Sequence, residues 1–137
     1  MDKESYYGRK WNFTMDVVFY RLDRTVKEGK LYLNPKANLS ALADMAGTNR
    51  TYASKAVCAR YRNFKDYINT LRIENLLQDI HDDKCGWLDL DDEDDFANRY
   101  GFSNRRSMDR ILVRETGCTY NRILKRRRKK AGSRPSE

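Results

Sequence analysis

Phe96-Ala97-Asn98-Arg99-Tyr100-Gly101-Phe102-Ser103-Asn104 runs from an apolar pair to a glycine and into a polar patch, after which Met108, Ile111 and Leu112 open a new apolar series. Spacing of i, i+3 and i+4 is one face of a helix. The glycine supplies the left-handed backbone that a tight corner between two helices needs. The same order stands 54 residues earlier: Leu42-Ala43, then Gly47, then a polar patch, then Ala53, Ala56 and Val57. The later copy holds one more residue between its glycine and its inward positions. A short helix, a glycine, and a second helix two or three residues on make a helix-turn-helix corner, and this chain reads as carrying two.

Outward from these corners, Pro35 and Pro135 are the two prolines, so helices separated by short breaks can fill the interval between them. The fold class expected is all-α, with about seven helices and two helix-turn-helix subdomains joined by a long linker helix. A first helix is expected over Thr14 to Glu28, with Val17, Val18, Leu22 and Val26 along one side and Gly29 as its stop. Strict alternation, the mark of a strand, is confined to Lys30 to Leu33. A second helix should start near Ser40, with Leu39, Leu42, Ala43 and Ala46 inward, and a third should run from about Asn49 to Arg60. Phe64, Tyr67, Ile68, Leu71, Leu76, Leu77 and Ile80 form the longest periodic stretch. It predicts a helix of roughly 18 residues and about 27 Å, long enough to bridge two bodies.

Lys84, Cys85 and Gly86 break that helix, and Trp87, Leu88 and Leu90 offer anchors. Asp91 to Asp95 open a fifth helix, where acids favour the positive end of the dipole. That helix should end at Tyr100 and Gly101. A sixth is expected from Asn104 to Thr116, ended by Gly117, and a seventh from Tyr120 to about Lys130. The expected organisation is an N-terminal helix over 1–36 packed on a first helix-turn-helix unit over 37–62. A linker helix over 63–83 follows, then a second unit with the C-terminal helix over 84–131, and a disordered tail over 132–137.

Twenty-eight Lys and Arg against 20 Asp and Glu give a net charge of +8, which makes polyanions, nucleic acid first, the natural partners. Six of those positive charges sit together at Lys125, Arg126, Arg127, Arg128, Lys129 and Lys130. This basic tail is expected to track phosphates and add salt-sensitive affinity. Asp89, Asp91, Asp92, Glu93, Asp94 and Asp95 are expected to screen the tail or the second reading helix in the free protein. No apolar run is long enough for a membrane span and the N-terminus lacks a signal-peptide core. The chain is therefore expected in the cytoplasm, associated with the nucleoid. Cys58, Cys85 and Cys118 are odd in number and far apart, which reads as reduced thiols. His81, Asp82, Asp83 and Cys85 have ligand types but make a poor zinc set. No metal, cofactor or catalysis is expected, and 1–28 is too short for an effector pocket of its own.

The second helix of each corner suits a major groove, with the first bracing it across the backbone. Outward candidates in the first unit are Thr48, Asn49, Arg50, Thr51, Ser54 and Lys55. In the second they are Ser103, Asn104, Arg105, Arg106, Asp109 and Arg110. Arg suits guanine, Asn adenine, Asp cytosine, and Ser or Thr several base groups or phosphate. Asp109 can equally pair with Arg105 or Arg106 along the helix. Two such helices on one linker could enter successive major grooves, about 34 Å apart. Double-stranded DNA is the expected partner, with RNA polymerase as a further one. A nonspecific DNA- or RNA-binding basic protein and a protein-interaction module derived from a DNA-binding fold are the rival classes.

From about Leu39 to Leu124 the chain resembles the AraC-type transcriptional regulators of bacteria. The resemblance rests on Phe64-Lys65-Asp66-Tyr67-Ile68-Asn69-Thr70-Leu71-Arg72-Ile73, on Phe96 to Ser103, and on Thr116-Gly117-Cys118-Thr119. It implies two subdomains on a long helix, sequence-specific binding near promoters, and no enzymatic activity. By position it implies Thr51, Ser54 and Lys55 as base readers of the first unit and Arg105, Arg106, Asp109 and Arg110 as those of the second. Lys30 to Pro35 with Thr48 to Tyr52 resemble versions from Bacteroides-type bacteria. Departures are Met108 and Leu112 where aromatics are usual, Tyr120 where a proline commonly stands, and no glycine between Ala59 and Phe64.

Overall fold

A computed structural model describes the backbone of residues 3–85 and 92–132 and the side chains of residues 14–85 and 92–128. Among these residues the structure is all-helical, with no strand: α1 (Lys3–Glu28), α2 (Leu39–Met45), α3 (Arg50–Cys58), α4 (Phe64–His81), α5 (Glu93–Arg99), α6 (Arg105–Thr116) and α7 (Tyr120–Gly132). Trp87, Leu88, Asp89, Leu90 and Asp91, named above as anchors and acids, lie outside the described residues, as do residues 133–137 of the expected tail. Gly132, placed in that tail by sequence, is the last residue of α7. The alternating Lys30 to Leu33 stretch is a single 3-10 turn, Leu31–Leu33, entered through a left-handed Lys30 with φ 50°.

α1 begins at Lys3 rather than Thr14. Residues 3–13 contain no proline and one glycine, Gly8, whose helix cost is about 1 kcal/mol, and Tyr7 and Trp11 carry the i, i+4 spacing of Met15 back toward the N-terminus. α3 stops at Cys58 rather than Arg60, and the Arg60 and Tyr61 N–H groups both turn back to the Val57 carbonyl. Four helices start on the same device. Asn38, Asn49, Asn63 and Asn104 each use their side-chain oxygen to accept the N–H three residues on, at 2.8, 2.9, 2.8 and 2.8 Å. Each such cap is worth about 1 kcal/mol.

The chain divides into two compact units, 1–69 and 70–137, and the division falls inside α4. In the first unit Met15, Val18, Leu22 and Val26 of α1 are buried, as are Leu42 and Ala43 of α2 and Ala53, Ala56 and Val57 of α3. Met15 and Val18 pack on Ala56, with Phe19 against them. Aromatic rings join α1 to the start of α4: Tyr67 lies 5.6 Å from Phe19 and 5.1 Å from Tyr61, centroid to centroid. The Tyr67 hydroxyl donates to Asp23 at 2.7 Å. Arg60 covers the Phe19 ring and donates to Asp16 at 2.7 Å.

In the second unit one cluster gathers Ile73, Leu76 and Ile80 of α4 with Ala97, Tyr100, Phe102, Met108, Ile111, Leu112, Tyr120 and Leu124. Phe96 packs against it, its ring 4.9 Å from Tyr100 and 5.0 Å from Tyr120. α7 is fastened to the end of α4 by Arg127, which donates to the His81 carbonyl at 2.5 Å and to Asp83 at 3.2 Å. A cation there suits the negative end of the α4 dipole. It also holds the Asp83 carboxyl below its ordinary value.

Candidate nucleic-acid interface

The repeat seen in the sequence is a repeat of hydrogen bonds. At the first corner Gly47 takes φ 75°, its N–H reaches the Asp44 carbonyl at 3.1 Å, and the Thr48 N–H reaches Ala43 at 3.0 Å. At the second, Gly101 takes φ 90°, its N–H reaches Asn98 at 3.0 Å, and the Phe102 N–H reaches Ala97 at 3.0 Å. Both are the paired-bond helix cap that requires a left-handed residue just past the helix end. The Asn cap of the next helix then comes two residues after Gly47 and three after Gly101. That is where the second copy keeps its extra residue.

In the first unit Ala53, Ala56 and Val57 are buried, while Asn49, Arg50, Thr51, Lys55 and Cys58 are exposed and Thr48 and Ser54 partly so. Asn49 spends its side-chain oxygen on the α3 cap. Sequence reasoning missed Tyr52, an aromatic of this helix that stays 40% exposed. Its position one residue after Thr51 was the available signal. Arg50 and Ser54 border an open groove of about 580 Å³ with Asn38, Ser40, Asn63 and Phe64. No effector pocket was expected from sequence. α1 and α2 border a second groove of about 520 Å³, open to solvent, between Tyr20 and Arg24 on one side and Met45 on the other.

In the second unit Met108, Ile111 and Leu112 are buried, and Ser103, Asn104, Arg106 and Arg110 are exposed. Two expected readers depart from that pattern. Arg105 does not face outward: its side chain is 12% exposed and its Nε donates to Asp109 Oδ2 at 2.7 Å. Asp109 is 23% exposed and spends Oδ1 on the Tyr120 N–H at 2.9 Å. The reason is local. The i, i+4 spacing stacks the two side chains on α6, and the buried Tyr120 ring beside Arg105 gives its guanidinium a face to rest on, 5.6 Å from the centroid. Asn104, like Asn49, caps its helix. Val113, 42% exposed, joins the outward face, and Arg114 beside it pairs with Glu115 at 3.4 Å.

Of the acidic run, Asp94 accepts the Arg105 N–H at 2.8 Å and Glu93 lies 4.0 Å from the Arg105 guanidinium. These acids face the start of α6. Of the basic tail, Arg127 is held by Asp83 and His81, and Arg126 donates to the buried Cys118 thiol at 3.1 Å. Lys125, Arg126 and Arg128 are exposed, and the side chains of Lys129 and Lys130 lie outside the described residues.

Among the described residues no three His, Cys, Asp or Glu side chains converge to hold a metal ion. Asp82 accepts from Gln78, and the Cys85 thiol meets the Tyr100 hydroxyl at 3.1 Å. Burial pushes the Cys85 thiol up from its ordinary range and does the same to the Tyr100 and Tyr120 phenols. A thiol held protonated is a weak nucleophile. No helix among the described residues is long and apolar enough to cross a membrane. Comparison with protein-family models, with curated proteins and with solved structures finds no match to this chain.

Proposed function

We propose that the chain is a sequence-specific double-stranded DNA-binding protein of the AraC type that regulates transcription, each unit setting its second helix, α3 or α6, in a major groove. The observation that carries this reading is the duplicated corner. The same capped glycine turn occurs twice, each time leading into an Asn-capped helix that buries one stripe and exposes another. The exposed stripes, Arg50, Thr51 and Lys55 on α3 and Arg106 and Arg110 on α6, hold donors that suit base edges and phosphates.

Selection of bound fragments from a random duplex library by the purified protein tests it. The expected result is an enriched motif, with Arg106→Ala and Arg110→Ala each relaxing one base position by about 5- to 150-fold, the range for removing a good arginine–guanine pair. Flat enrichment with a steep salt dependence would instead identify a nonspecific nucleic-acid binder. No retention of DNA at low salt would leave the protein-interaction reading standing.

A further inference from the structure

Arg105 and Asp109 have side chains that fit base edges, yet both are committed within the second unit. One carboxylate, Asp109, holds the Arg105 Nε with Oδ2 at 2.7 Å and the N–H of Tyr120, the first residue of α7, with Oδ1 at 2.9 Å. Arg105 in turn lies over the Tyr120 ring, and its guanidinium and backbone N–H both face α5, at Glu93 and Asp94. Three helices are thus tied at the entry of α6. Swinging Arg105 out to a base would strip Asp109 of its cation and the Tyr120 ring of the guanidinium over it together. Charge-assisted bonds with so little solvent access are the strong ones. The outward face that remains on α6 is Arg106, Arg110, Val113 and Arg114, spaced i, i+4, i+7 and i+8 as one helical stripe, with Arg114 paired to Glu115 at 3.4 Å.

We propose that Arg105 and Asp109 are positioning residues: they fix α6 between α5 and α7, and reading by this unit is left to Arg106 and Arg110, with Val113 as an apolar contact suited to a thymine methyl. The proposal rests on the DNA-binding reading for what is read, and on geometry alone for what is positioned.

Amide hydrogen exchange tests the second part without DNA. The Tyr120 N–H should exchange at least about tenfold faster in Asp109→Ala than in the wild type. Asp109→Asn, which keeps an acceptor for that N–H, should restore most of the protection, and Arg106→Ala should leave it unchanged. If Asp109→Ala does not fold, Arg105→Gln gives the same comparison, because a carboxylate without its cation is freer to leave the Tyr120 N–H. Equal exchange in the wild type and the variant overturns the proposal.

Library selection tests the first part. Arg105→Gln should weaken binding to all sequences by a similar factor and keep the wild-type motif, whereas Arg106→Ala and Arg110→Ala each flatten one position. A base position relaxed by Arg105→Gln with Tyr120 exchange unchanged overturns the proposal. A wild type that enriches no motif defeats the DNA-reading proposal instead, and the exchange result then decides the positioning role alone.

Discussion

At the scale of single residues, the chain uses the same chemical types for two tasks. Asn49, Asn104, Arg105 and Asp109 all carry groups that recognise bases, and sequence alone offers them as readers. The structure spends the first two on helix caps and the last two on each other. Which task wins depends on what packs nearby. For Arg105 and Asp109 the i, i+4 spacing already offers the pair in the sequence; what it does not report is the Tyr120 ring and N–H, eleven residues beyond Asp109, that hold the pair inward. Tyr67 shows the same dependence with a measurable outcome. Burial first, then the hydrogen bond to Asp23, raises its phenol above the ordinary value of 10.0. The fold therefore keeps a proton that the unfolded chain releases above about pH 10. The stability contributed by this proton is complete below pH 10 and is lost progressively as pH rises beyond it. Tyr67→Phe should cost about 1 to 2 kcal/mol at pH 7 for the missing bond to a carboxylate. It should also flatten the alkaline decline, which denaturant melts between pH 7 and 11 would follow. An unchanged alkaline slope in Tyr67→Phe would assign that decline to other groups, Tyr100 and Tyr120 foremost.

At the scale of elements, most of the fold is legible because glycine and asparagine mark the ends and i, i+3, i+4 apolar spacing marks the faces. The buried sets Ala53, Ala56, Val57 and Met108, Ile111, Leu112 are the ones the spacing picks out. The start of α1 is legible but missed by a reading that begins at Thr14: Tyr7 and Trp11 extend the spacing of Met15, Val18 and Leu22 toward the N-terminus, with no proline to stop it. The end of α3 is missed because Ala59 and Arg60 are good helix formers: Ala59 keeps helical dihedrals, and the helix ends only where the Arg60 and Tyr61 N–H groups share the Val57 carbonyl. The glycines that end helices can be tested directly. Gly47 and Gly117 sit at φ 75° and 81°, and a Cβ on either would meet no atom within 4 Å. The cost of a side chain there is then purely conformational. Gly47→Ala and Gly117→Ala should each lose about 1 to 2 kcal/mol, and the corresponding Asn variants less, because Asn enters the left-handed region more readily. Thermal or denaturant melts of the four proteins check this. Losses for Asn equal to those for Ala would mean that the left-handed backbone at these glycines is not what a side chain costs there.

At the scale of the whole molecule, a net charge of +8 favours a polyanion as partner but does not say which cations would serve it. The +8 balance counts Arg60, Arg105 and Arg127 alongside Arg106 and Arg110, although the first three hold Asp16, Asp109 and Asp83 within their own units. Only packing separates the two groups. The basic run at the end of α7 divides in the same way. Arg127 is structural, since it closes the end of α4, so removing it would confound binding with stability. Lys125 is exposed, and Lys129 and Lys130 extend the same run toward the C-terminus. If these lysines track phosphates, changing all three to Gln should leave the selected motif intact and weaken binding to every duplex alike. For each phosphate that is no longer neutralised, the steepness of log K against log salt should fall by about 0.9. The triple variant would then show a slope reduced by up to about 2.7 relative to the wild type, read from fluorescence titrations at several salt concentrations. A slope that does not move would mean that these lysines stay solvated in the complex and that the salt dependence comes from the two corners, where Arg50, Lys55, Arg106 and Arg110 are the next charges to remove.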